Sequence, residues 1–316
     1  MYIKPIQDFI VYLFSLDPSS ELARAVAFFV YNSLKLTLLI FIIVTFTAFI
    51  RTYFPPSKIK KILAKSKFGQ ANVIASVLGA MTPFCSCSSI PLFLGFIKSG
   101  IPMGVAFSFL ITSPLVNEVV FVMMLGTFGL KTAILYASFG IVLGVVLGII
   151  LEKLGLKKEL EFKKNKDHDY DSHEKSFETL KDRLLFAAKD SYKMAKGILP
   201  FVILGMAIAT LLNFYFPAEL LAKYIGSGNW FAVPLAVLIG IPIYAGCSTI
   251  VPIAFAAVIN GVPLGTALAF VMSVAGLSLP EALILKKVMS VKLLVIFFSL
   301  VGAGIVAAGF LFNLVA

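Results

Sequence analysis

Apolar residues fill most of the chain in long stretches separated by short polar clusters. Eight such stretches lie near residues 25–50, 70–98, 102–125, 129–152, 193–216, 229–260, 262–285 and 291–315. A helix that crosses the hydrocarbon core needs about 20 apolar residues, and each stretch is long enough. Residues 5–16 are shorter and run into Asp17-Pro18, which suits a surface helix better than a cleaved leader. Residues 153–190 are polar. The first half is too charged to pack and reads as a linker. In the second half, Leu180, Leu184, Leu185 and Ala188 recur at helical spacing, the pattern of an amphipathic helix on a membrane surface. The pattern predicts an all-α polytopic membrane protein with a first membrane repeat at 1–152, a cytoplasmic linker at 153–190 and a second membrane repeat at 191–316.

Composition sharpens this. Hydrophobic residues make up 59% of the 316 positions and charged ones 14%, with a mean hydropathy of +0.99. A soluble domain carries about a quarter charged residues, so a soluble fold, a disordered chain and a nucleic-acid binder are all excluded. Three cysteines make no disulfide framework. The net charge of +11 does not imply a polyanion partner, because the basic residues cluster beside apolar runs. That clustering is typical of a chain oriented by cytoplasmic Lys and Arg. His168 and His173 fall in the charged linker and read as solvated.

The chain also repeats itself at an offset of roughly 160 residues. Cys87-Ser88-Ser89-Ile90-Pro91 returns as Cys247-Ser248-Thr249-Ile250-Val251-Pro252, and Gly100-Ile101-Pro102-Met103-Gly104 as Gly261-Val262-Pro263-Leu264-Gly265. Phe54-Pro55 answers Phe216-Pro217, and Asn117-Glu118 is read as the partner of Pro280-Glu281. Membrane chains with internal repeats are typically transporters, with the repeats parallel or inverted. If all eight stretches cross, only 16 of the 27 basic residues share a face. If 70–98 and 229–260 are re-entrant hairpins, the halves invert and 22 of the 27 face the cytoplasm. The positive-inside rule therefore favours inverted repeats, each with a hairpin broken at its Cys-Ser/Thr-Pro motif. Arms over 70–82 and 88–99 would reach roughly 18–20 Å, a little past the middle of a core about 30 Å thick. Non-helical backbone at that depth is tolerated where protein or a water-filled cavity surrounds it, which makes each break a candidate binding site.

Cys85 and Cys87 sit at one break and Cys247 at the other. Thiolates are soft ligands suited to Cu(I), Zn and other thiophilic centres, although cysteines are also good small hydrophobes at tight turns. Ser86, Ser88, Ser89, Ser248 and Thr249 surround the sulfurs with hydroxyls that either coordinate solute or cap the half-helices starting there. Positive helix ends at such a centre favour an anionic or electron-rich solute. Glu118 and Glu281 are the candidate proton carriers, Glu118 the stronger, because an ionisable group at depth usually marks an ion pathway. Asn117 and Asn260 are weaker candidates of the same kind.

At these residues the sequence resembles the bacterial and archaeal permease family that includes ArsP and YraQ. The matching segments are TPFCSCSSIPLFLGFIKSGIPMGVAFSFLITSPLVNE at 82–118 and YAGCSTIVPIAFAAVINGVPLGTALAFVMSVAGLSLPE at 244–281. The resemblance covers nearly the whole chain apart from the linker. It implies a permease usually described with eight transmembrane segments, whose ArsP members export trivalent organoarsenicals such as methylarsenite. The expected activity is secondary efflux of a soft thiophilic solute across the cytoplasmic membrane, with the lipid bilayer, the solute and protons as partners and no cofactor. Export of copper or zinc by the same cysteines is one alternative. A membrane thiol oxidoreductase, forming a reversible disulfide between Cys85 and Cys87, is another. No phosphate-binding loop occurs, so an ATPase is not expected.

Overall fold

The computed structural model describes residues 69–82, 86–98, 100–160, 230–243, 247–286 and 288–315, with scattered positions between 25 and 49 and between 181 and 210. The surface helix expected at 5–16, residues 161–180 of the linker and the Phe-Pro pairs lie outside the described residues. Regular structure among the described residues is helical. In the first half come α1 (Gln70–Met81), α2 (Ser86–Lys98), α3 (Met103–Leu115) and α4 (Glu118–Lys153). A 3-10 turn, Leu156–Glu159, follows. In the second half come α5 (Ala232–Gly240), α6 (Cys247–Ile259), α7 (Leu264–Gly276), α8 (Leu279–Leu285) and α9 (Val291–Val315).

One offset relates the halves. The starts of α2 and α6, of α3 and α7, and of α4 and α8 are each 161 residues apart. The Gly-x-Pro landmarks have a local cause. Gly100 (φ 78°) and Gly261 (φ 94°) adopt left-handed backbone that ends α2 and α6. The Gly100 and Ile101 amides donate to Ile97 O and Phe96 O, and Gly261 and Val262 do the same to Val258 O and Ala257 O. Only glycine takes that conformation without strain, and the proline two residues on opens the next helix with its φ already set.

The apolar stretches break where backbone chemistry requires it. Residues 70–98 and 229–260 each divide into two short helices. Stretch 102–125 is not one helix either. Pro114 lies in the last turn of α3, Val116 turns extended (φ −127°), and Asn117 caps a new helix. That helix passes over 125 and changes direction at Gly129 (φ 83°), the position matching the gap before α9. Among the described residues, three segments are long and apolar enough to span a membrane: Glu118–Lys153, Leu264–Leu285 and Val291–Val315.

Every residue of α3 is buried. Its neighbour α1 runs parallel to it, since Asn72 meets Ser108 and Gly79 lies against Ser113. The return arm α2 runs antiparallel, with Ser89 bonded to Ser113 and its far end turning directly into α3. At the other end of α3 the Gly104 amide donates to the Glu152 carboxylate; in the second half the Gly265 amide donates to Asn313 Oδ1 at 2.7 Å. These four residues are again 161 apart in pairs.

The halves touch at several places. Leu115 at the end of α3 packs on Gly276 at the end of α7. Along α4 and α9, Phe139 stacks edge-on against Phe312 at 4.7 Å, Leu143 and Leu147 cover Gly304, and Glu159 meets Ser290 and Lys292. Partner numbers fall along α9 as they rise along α4, so the two helices are antiparallel.

Close backbone approach sets the frame. A Cβ on Gly104 would strike the Gly148 carbonyl, and one on Gly265 the Gly309 carbonyl. Gly104→Ala and Gly265→Ala should each destabilise the protein by about 1–3 kcal/mol, the usual range for overpacking. Gly126→Ala meets nothing within 4 Å and should be neutral or slightly stabilising. Thermal unfolding of the three variants in one detergent checks this.

Candidate functional site

The hairpin break of the first half lies beside the C-terminal end of α3. Ser113 is ten residues into that helix, about 15 Å from its start at the standard rise. Its hydroxyl shares a 2.8 Å hydrogen bond with Ser89, in the first turn of α2. The segment that opens α2 is therefore held at the depth where α3 ends. Cys85 lies outside the described residues. Ser86, Cys87 and Ser88 form the first turn of α2, and Cys247, Ser248 and Thr249 the first turn of α6. Their backbones are described but their side chains are not. Each half thus presents a helix N-terminus, with its orphan N–H donors, opened by a cysteine-bearing turn. Across the halves, α6 packs on α4, with the Phe128 and Phe255 rings 5.2 Å apart, and α8 packs on α2.

The two glutamates do not occupy matching positions. Asn117 and Ser278 are the N-caps of α4 and α8. At the shared offset Glu118 therefore matches Leu279, and Glu281 matches Val120. Two residues are about 200° around a helix, so the carboxylates point to different sides. Glu118 is exposed, whereas Glu281, like Val120, is fully buried. The expectation that Glu118 is the buried carboxylate is corrected: its position next to the cap turns it outward. Asn117 is structural, its Oδ1 accepting from the Val120 amide at 2.8 Å. Asn260 donates to Ala256 O within its own helix end and is exposed.

Glu159, by contrast, sits at a surface. The Ser290 hydroxyl donates to its carboxylate at 2.7 Å, and Lys292 lies 3.5 Å away. The hydroxyl bond, helped by the lysine, holds its carboxyl below the ordinary range. The contact therefore keeps its charged form at neutral pH and weakens only in acid. It joins the end of the first half to the loop before α9.

A family described as a predicted permease, of ArsP type, matches residues 21–314. The chain belongs to that permease family. A Streptococcus mutans protein named as a candidate subunit of a two-component membrane permease complex is 26% identical over 183 residues, 56% of this chain and 58% of that protein. The permease thus spans little more than half the length of that relative. A UPF0718 protein of Methanocaldococcus jannaschii is 25% identical over 68% of the chain and 74% of its own length. UPF0718 protein YcgR of Bacillus subtilis is 26% identical over 40% of the chain and 45% of its own length. No solved structure matches the permease.

The Ser89–Ser113 bond, and the burial of Glu281 rather than Glu118, were not read from sequence. Serines within otherwise apolar helices, Ser89 in the first turn of α2 and Ser113 near the end of α3, were the available signal. The permease's second break depends on the Asn117 cap. Asn117→Ala should cost about 1 kcal/mol and Asn117→Asp little, as for helix caps generally, measured by thermal unfolding.

Proposed function

We propose that the chain is a secondary efflux permease of the cytoplasmic membrane for a soft, thiophilic solute of the trivalent methylarsenite type. The observation that carries this reading is the recurrence of a cysteine-opened half-helix at equivalent positions of two halves. Cys85, Cys87 and Cys247 are the sulfur ligands, with Ser86, Ser88, Ser248 and Thr249 as hydroxyl partners. Glu281 is the proton carrier, since it is the buried one of the two carboxylates. A metal cation would need anionic ligands beyond sulfur, and the exposure of Glu118 leaves one such group at depth. A neutral metalloid needs only the sulfurs. The chain divides into membrane repeats at 1–152 and 191–316 around a cytoplasmic linker at 153–190.

In this reading the two repeats are inverted and 70–98 and 229–260 re-enter. Support comes from the antiparallel packing of α4 and α9 and from contacts between equivalent residues, Leu115 with Gly276 and Leu143 with Gly304. Equivalent residues meet where a pseudo-two-fold axis passes. The Glu159–Ser290 contact adds that the linker and the 286–292 loop share a face, as the distribution of Lys and Arg requires.

Everted vesicles offered methylarsenite, arsenite, Cu(I) and Zn(II) test the solute. Methylarsenite should accumulate, and Cys87→Ser and Cys247→Ser should each abolish its uptake at unchanged membrane abundance. Preference for Zn(II) or Cu(I) would replace the metalloid with a metal. A reversible loss of two thiols on mild oxidation, without transport, would favour an oxidoreductase. Glu281→Gln should lose concentrative uptake and its pH dependence, while Glu118→Gln keeps both.

Topology is tested separately, by a disulfide between Leu143→Cys and Gly304→Cys and by labelling cysteines placed at residues 60 and 165 in intact cells. Inverted halves require that the cross-link form and that neither cysteine be labelled from outside. Labelling of just one of the two would rule the arrangement out.

A further inference from the structure

Three helix faces of the first half meet in a polar seam. Asn72 and Ser76 on α1, Gly104, Ser108 and Thr112 on α3, and Gly144, Gly148 and Glu152 on α4 recur every four residues, so each set lines one side of its helix. Asn72 donates to the Ser108 hydroxyl at 2.9 Å, and Glu152 accepts from Gly104 at the open end. Deeper in, the Ser76 and Thr112 hydroxyls are fully buried and have no hydrogen-bond partner among the described residues. Both face Gly144. A Cβ there would strike the Thr112 hydroxyl and come within 3.1 Å of both Ser76 Oγ and Ser108 O. The next residue, Ser113, lies about 100° further around α3 and bonds Ser89 in the first turn of α2.

The second half holds the same frame and a dry version of the seam. Val233 and Val237 stand where Asn72 and Ser76 stand in the first, and Ala269 and Ile305 replace Ser108 and Gly144. A Cβ on Gly309 would meet Val233 Cγ1 at 2.6 Å and Ala269 Cβ at 2.8 Å, where Gly148 faces Asn72 and Ser108. Ser273, the counterpart of Thr112, donates to its own helix at Phe270 O, 2.9 Å away. The polar lining is therefore not a requirement of helix packing, because the duplicate packs without it.

We propose that the first-half seam is a hydrated path, in which water enters at Glu152 and reaches the Ser89–Ser113 pair beside the α2 N-terminus. A buried water needs two to four polar partners, and Ser76 Oγ, Thr112 Oγ1 and Ser108 O supply three around one glycine. Buried hydroxyls left without partners are costly, and water relieves that cost. The path connects the end of α3 at Gly104 to the hairpin break, so it delivers water and protons to the depth at which the cysteine-bearing turns lie. It depends on neither the identity of the solute nor the orientation in the membrane.

Hydrogen peroxide, a probe little larger than water, tests this in the full-length protein in liposomes. It oxidises thiolate, which forms only where water reaches the sulfur, and peptide mass spectrometry reads each site apart from the native cysteines. Ser76→Cys should oxidise about 10-fold or more faster than its counterpart Val237→Cys, a margin set by thiolate access. Thr112→Cys should likewise outpace Ser273→Cys, and this second pair decides if the first does not accumulate. Adding Ser108→Val, which blocks the seam between mouth and probe, should bring the Ser76→Cys rate down to that of Val237→Cys. Equal rates within the pairs would overturn the proposal. So would a fast Ser76→Cys rate that Ser108→Val leaves unchanged.

Discussion

Backbone-to-backbone contact at paired glycines is the constraint from which the rest of this structure follows. Lipid tails are as apolar as leucine, so burial of apolar surface gives two helices little reason to associate within a bilayer. Close packing and hydrogen bonds must hold them instead. Gly104 against Gly148 lets α3 lie on α4, and Gly265 against Gly309 does the same for α7 and α9. The same approach brings the Glu152 and Asn313 side chains onto the first free amides of α3 and α7. Two short helices are thereby fixed in the centre of the molecule with their ends satisfied.

Once α3 and α7 are enclosed, their ends create the site. A helix of 13 residues covers about 20 Å and stops inside a core about 30 Å thick. Backbone released at that depth must find partners in protein or water. Asn117 supplies one at the start of α4, and a bond between the Ser113 and Ser89 hydroxyls ties the start of α2 to the end of α3. A break in each half thus follows from stopping α3 and α7 after 13 residues, and these breaks are where the proposed solute site lies.

Features with a strictly local cause were legible in the sequence. The Gly-x-Pro turns, the divided hairpins and the repeat all came from residues whose backbone preferences act over three or four positions. Features depending on helix phase were not. Pairing Glu118 with Glu281 aligns two acidic residues, but the caps Asn117 and Ser278 set the phase, and a shift of two residues puts the carboxylates on different sides. The redirection at Gly129 falls where the sequence separates the stretches 102–125 and 129–152. The seam of Asn72, Ser76, Ser108 and Thr112 was hidden for another reason: its three strands of residues lie on helices far apart in sequence, and each alone looks like a minor blemish in an apolar helix.

The departures from symmetry carry the most functional content. A duplicated frame whose glycine contacts, caps and turns are kept in both halves demonstrates what the packing needs. Whatever differs between equivalent positions is then free of that requirement. Val120 and Glu281 share a buried position in the first turn of α4 and α8, so the carboxylate is no condition of folding there. Val233 and Asn72 share a place against a glycine, so the amide is no condition either. Glu152 and Asn313 cap equivalent helices, yet only the first brings a charge to its end of the molecule. Among the described residues, the buried carboxylate belongs to the second half and the polar seam with its charged mouth to the first. The proton step of the proposed transport cycle would need the two halves together, which supplies a physical reason for the copies to stay unlike.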